Sequence, residues 1–137
     1  MKEPTLKTKE YTITEAYRYL ENAKETIAKS SIEYGRYQDS KFVSEGAGIA
    51  YLAALRAIDV FLISRGYSVK ELPTSIDAYR YAIYKKIPLN GKLSNALTII
   101  YENLHILAYY RGGTSVKMVK DGLENVKKII TMMERSI

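Results

Sequence analysis

The chain of 137 residues contains no cysteine, no tryptophan and a single histidine, His105. Without thiols there can be no disulfide, no thiolate nucleophile and no cysteine-based zinc site, which suits a reducing compartment. A lone imidazole leaves any metal to carboxylates, and no metal or cofactor is expected. Prolines are few, at Pro4, Pro73 and Pro88, so long helices meet little obstruction. No apolar run approaches the roughly 18 to 20 uncharged residues that span a bilayer, and the opening MKEPTLKTKE is too polar for a secretory signal. The expected setting is the cytoplasm, with no membrane partner.

What is present is the balance of a globular chain: 47% hydrophobic and 26% charged residues, enough apolar surface for one core and a length suited to one domain. The expected layout is a tail over residues 1–11 and a single domain over 12–137. The net charge of +6 is unevenly placed. The first 39 residues are neutral. Between Ala78 and Lys120, seven basic residues face one acid, Glu102, so this stretch carries the whole excess.

Hydrophobic spacing predicts helices throughout. Thr12 followed by Glu15 has capping-box spacing, and Ile13, Ala16, Leu20, Ala23 and Ile27 then recur every three or four residues. The polar SSIEYGRYQD reads as a loop. The segment KFVSEGAGIAYLAALRAIDVFLISRG is apolar nearly all round, as in a helix at the centre of its domain or shared with a second copy. Its many glycines and alanines suit close helix packing, and Gly66 marks its end. A short helix is predicted from Thr74 or Ser75 to before Pro88. The next places Leu93, Leu97, Ile100, Leu104 and Leu107 on one face, and the last, opened by Ser115, carries a seam from Val116 to Met133.

His105 falls on a polar and aromatic flank with Tyr101, Glu102 and Tyr109. Glu102, three residues away, has the spacing to orient the imidazole as a general base, which makes His105 and Glu102 the candidate catalytic pair. The same spacing is an ordinary helix-surface contact, and no nucleophile with a signature context accompanies it. No catalytic residue is assigned on the residues alone.

Three other features point to binding. AYRYAIYKKIPLNGK interleaves Tyr81 and Tyr84 with Arg80, Lys85, Lys86 and Lys92. Cations neutralise phosphates and rings stack on bases, so these residues, with Arg111, are the candidate contacts for RNA or a nucleotide. Ile49, Ala53, Val60 and Ile63 on the second helix, and Ile99, Ile106 and Tyr110 on the fourth, lie opposite the intramolecular seams. They are the candidate surface for a homodimer or another protein partner. Arg56 and Asp59, in the apolar second helix, are expected to be a buried polar pair.

The segments AYRYLENAKETI, AGIAYLAALRAIDVFLISRG and LHILAYYRGGTSVKMVKDGLENVKKII resemble the corresponding parts of HEPN-like helical domains over roughly residues 12 to 135. They are also similar to a group of small Bacteroidetes-type proteins with no assigned activity. The resemblance implies an all-α, up-and-down four-helix bundle with an additional short helix, and a bacterial homodimer. It also implies either RNA-cleaving toxins and defence effectors or inactive binding modules. Active members use an arginine followed, four to six positions beyond a polar residue, by a histidine. Here Thr98, Ile99 and Ile100 hold the arginine positions before His105, and no histidine follows Arg111. The expectation is a non-catalytic binding module. The alternatives are a divergent ribonuclease with its site displaced around His105, and a purely structural or protein-binding helical protein.

Overall fold

The computed structural model describes residues 9 to 137. The fold class is all-α, with one small hairpin. Helix α1 (Ile13–Ile27) opens at Thr12, whose hydroxyl accepts the Glu15 amide at 3.1 Å. The Glu15 carboxylate does not close the capping box; it turns to Arg18, 3.1 Å away. Ala16, Leu20, Ala23 and Ile27 form the buried face, as their spacing predicts. Of the expected tail, residues 1–8 lie outside the described residues, and Tyr11 packs against the core.

The segment expected as a loop holds a hairpin in which β1 (Ile32–Glu33) pairs antiparallel with β2 (Arg36–Tyr37). Tyr34 and Gly35 take φ of 53° and 72°, the two-residue turn whose twist matches the strands. Two-residue strands carry no alternation for a sequence pattern to reveal. The hairpin is tied to the start of α5 (Val116–Ser136): Tyr37 N–H donates to the Thr114 carbonyl at 2.9 Å and Val116 N–H to that of Gly35 at 3.1 Å.

Helix α2 (Ser40–Ser64) is the centre of the molecule. Asp39 caps its start by accepting the Lys41 amide, and Gly66, at φ 101°, follows its end. It packs against α1, α5 and the segment around His105. Between Gly46 and Ser64 only Arg56 and Asp59 are charged, so by length and composition α2 matches a membrane span more closely than its sequence first suggests. Its apolar window is 61% buried inside the chain, as in the core helix of a globular domain. Small residues let α1 approach closely: a Cβ at Gly46 would meet Ile27 and lie 2.8 Å from the Ala23 carbonyl.

A single 3₁₀ turn (Val69–Glu71) leads to α3 (Ile76–Lys86), capped by Ser75 and anchored by buried Tyr79, Ala82 and Ile83. Helix α4 (Gly91–Ile100) runs without a break into a π-helical segment, Tyr101–Tyr110. Its wider turn is seen at the end, where Arg111 N–H donates to the Ile106 carbonyl, five residues back, at 3.0 Å. Ten residues exceed the single-turn bulges in which this geometry ordinarily occurs. The widening overturns the expected helical face. Burial passes from Leu93, Leu97 and Ile100 to Leu104 and then Ala108, while Leu107 is 41% exposed.

Candidate functional site

The π segment decides the surroundings of His105. Residues four apart come into line on a widened helix, so Tyr101, His105 and Tyr109 form a ladder. The imidazole lies 4.7 Å from the Tyr51 ring and 5.9 Å from that of Tyr109, nearly parallel to both, with Tyr101 at 5.4 Å. Tyr109 itself rests on Gly48, where a Cβ would come within 2.8 Å of the ring. The Ser44 hydroxyl donates to the Tyr109 carbonyl at 2.8 Å, satisfying an acceptor that the helix end leaves free. Burial and the neighbouring Tyr101 push the Tyr51 phenol up to about 12.

The packing does not join the two residues of the catalytic candidate. Glu102 is exposed and forms no ion pair with His105; the ion pairs among the described residues are Arg18–Glu15 and Lys24–Glu21. Three residues on a π-helix are turned further apart than on an α-helix, which carries the carboxylate away from the ring. The imidazole is stacked between tyrosines and has no ion pair with a carboxylate among the described residues.

The expected Arg56–Asp59 pair is also different from its sequence reading. Asp59 is 6% exposed, and its Oδ1 accepts the Tyr79 hydroxyl at 2.8 Å. Burial is the first cause that lifts its carboxyl to about 6, with the Tyr79 bond and the Arg56 charge acting in the opposite direction. Burial and the adjoining Asp59 push the Tyr79 phenol upward. Arg56 instead lies over the Tyr11 ring at 4.2 Å and near Tyr19 at 5.7 Å, and its Nη1 has no hydrogen-bond partner among the described residues. The two charges are neighbours with separate partners. Tyr79 and Tyr11, which supply those partners, stand far from them in sequence, and no local pattern announces either contact.

The basic candidates divide into groups. On α3, Tyr81 and Tyr84 are 60% and 76% exposed, Lys85 stands over the Tyr81 ring at 5.2 Å and Lys86 over Tyr67 at 5.8 Å. Arg80 is half-buried and close enough to Tyr51 to act on its phenol. Lys92 lies at the start of α4 and lines a separate groove against α5. Arg111, at the far end of the same continuous helix, stacks near Tyr110. On α3, Tyr81 and Lys85 are in contact, whereas Lys86 turns toward Tyr67 and Arg80 toward Tyr51.

Residues 11–135 match the family model described as "Domain of unknown function (DUF5618)". The chain belongs to this family. A solved structure, a protein of unknown function from Dyadobacter fermentans, is similar over 91% of this chain and 95% of that one, at 32% identity and a TM-score of 0.79. A search of curated proteins finds no match. The DUF5618 span takes in all of the aromatic, charged and apolar residues discussed above, from Tyr11 onward.

The apolar candidates of this DUF5618 chain do not form one face. Ala53 is fully buried within the chain and has no surface to offer a second copy. Ile49 and Ile63 are half-buried and pack on the core, whereas Val60, Ile99 and Ile106 are half-buried beyond it. Tyr110 is 74% exposed. Leu52, which the sequence reading passed over, is 50% exposed on the outer side of α2, between Ile49 and Val60.

Proposed function

We propose that this chain is a non-catalytic, HEPN-like binding module, an up-and-down four-helix bundle with one short helix added, which holds single-stranded RNA or a nucleotide on α3 as a cytoplasmic homodimer. The observation that carries the reading is the outer face of α3. Tyr81 and Tyr84 are exposed, Lys85 stands over the Tyr81 ring and Lys86 over that of Tyr67, and neither cation has an ion-pair partner among the described residues. Exposed rings are platforms for bases, and unneutralised ammonium groups draw phosphates and release their counterions. The stacked His105, lacking an orienting carboxylate, supports binding without turnover.

The test is a fluorescence titration of labelled single-stranded RNA at two salt concentrations, with the same samples run on a denaturing gel. Wild type should bind more weakly as salt rises. K85E/K86E should lose about tenfold or more in affinity and flatten the salt dependence by about one to two units of slope. RNA should remain intact. Fragments that disappear with H105A would instead establish the ribonuclease reading. Unchanged binding by K85E/K86E would remove α3 as the interface.

A further inference from the structure

Helices α4 and α5 leave between them an open groove of about 780 Å³ that none of the contacts above uses. Ala96, Ile99 and Met132 give it an apolar lining, interrupted by the uncharged polar side chains of Asn95, Asn125 and Thr131. Ile99 is half-exposed and lies outside the packed core, so the groove holds apolar surface that no other described residue covers. Its rim is cationic. Lys92 stands on one side and Lys127, Lys128 and Arg135 on the other, against the single acid Glu124. None of the four cations is in an ion pair among the described residues.

We propose that this groove docks an acidic amphipathic helix of a partner protein. Apolar side chains between two helices receive the apolar stripe of a third, with anchors three or four residues apart. On α5 the lining runs from Glu124 to Arg135, about 16 Å of helix at 1.5 Å per residue, which matches about three turns of a partner. Cations along both edges select acidic residues flanking that stripe and penalise basic ones. A second copy of this chain is disfavoured, because a symmetric contact would set groove against groove and bring the same cations together. Nucleic acid fits less well, since no aromatic side chain lines the groove to stack on a base. The site is separate from the α3 surface, and the two assignments stand or fall independently.

The test uses a fluorescein-labelled helical peptide of about four turns, with leucines at i, i+4, i+7 and i+11 and mostly glutamate elsewhere. A scrambled peptide of the same composition removes the stripe and keeps the charge. The striped peptide should bind the full chain at least about tenfold tighter than the scramble. K127E/K128E should weaken it about tenfold, and I99D should do the same through the apolar lining. K85E/K86E should leave it unchanged. Thermal unfolding of each variant shows that a loss of binding is not a loss of fold. Equal binding of striped and scrambled peptides would reduce the groove to general electrostatics and overturn the proposal. So would no binding at about 100 µM, a value far weaker than a helix-groove contact needs, or RNA binding that K127E/K128E abolishes.

Discussion

Asp59 is a carboxylate placed by one helix and held by another. It sits on α2, is covered by Tyr79 of α3, and has its carboxyl raised to about 6 by burial. In the unfolded chain the same group titrates near 4. A raised carboxyl pKa means that the folded state binds its proton more tightly than the unfolded state. The contribution to stability is therefore complete below about pH 4 and lost as pH rises through about 6, roughly 2 to 3 kcal/mol over that window. Chemical denaturation between pH 4 and 7.5 should show this loss, and D59N, which keeps an acceptor for Tyr79 and cannot ionise, should flatten it. Y79F should lower stability at pH 7.5 by about 1 to 3 kcal/mol by leaving the carboxylate without its donor. A D59N profile that still falls between pH 4 and 6 would assign the effect to another group.

At the scale of elements, the expectation departs from the structure in two places, the hairpin read as a loop and the π segment, and the second is the larger. Leu93, Leu97, Ile100 and Leu104 follow a four, three, four spacing that an α-helix would continue to Leu107. The chain instead widens at Tyr101, and Ala108 takes the inward position. The cause is tertiary. Gly48 of α2 admits the Tyr109 ring, Ser44 satisfies the Tyr109 carbonyl, and Leu104 fills the space opposite Gly122, where a Cβ would lie 2.5 Å from Leu104 Cδ2. Each contact is made with another helix, two with α2 and one with α5. The substitution L107Q should therefore cost less than about 1 kcal/mol, while A108E, placing a charge at a fully buried site, should cost more than about 4 kcal/mol or prevent folding. Urea titrations of the two variants compare them directly, and a larger loss for L107Q would restore the α-helical register. The starts of α1, α3 and α5 were far more legible, because Thr12, Ser75 and Ser115 each accept an amide of the first turn, a local bond that needs no neighbour.

For the whole molecule, the question left by α2 is what covers its outer side. Leu52 is half-exposed and adjoins Ile49, Val60 and Ile63 on the same helix, three of the residues expected to face a second copy in the proposed homodimer. Light-scattering mass measurement at micromolar concentration should give about twice the chain mass of 15.6 kDa, and L52E should return it to one. A monomeric wild type would leave these residues to other partners. The groove between α4 and α5 lies on different helices, so its peptide binding should survive L52E.

The sequence by itself determined the class and most boundaries of this fold, because caps, breakers and apolar spacing act within a few residues. It also put Tyr81, Tyr84, Lys85 and Lys86 on one short helix, where Lys85 meets Tyr81. Only the tertiary structure decided the partners of His105, Asp59 and Arg56. Tyr51 reaches the imidazole from α2, Tyr79 reaches the carboxylate from α3, and Tyr11 reaches the guanidinium from the start of the chain. Periodicity tells which residues turn inward. The identity of what they meet depends on helix packing, and for the π segment that packing set the periodicity itself.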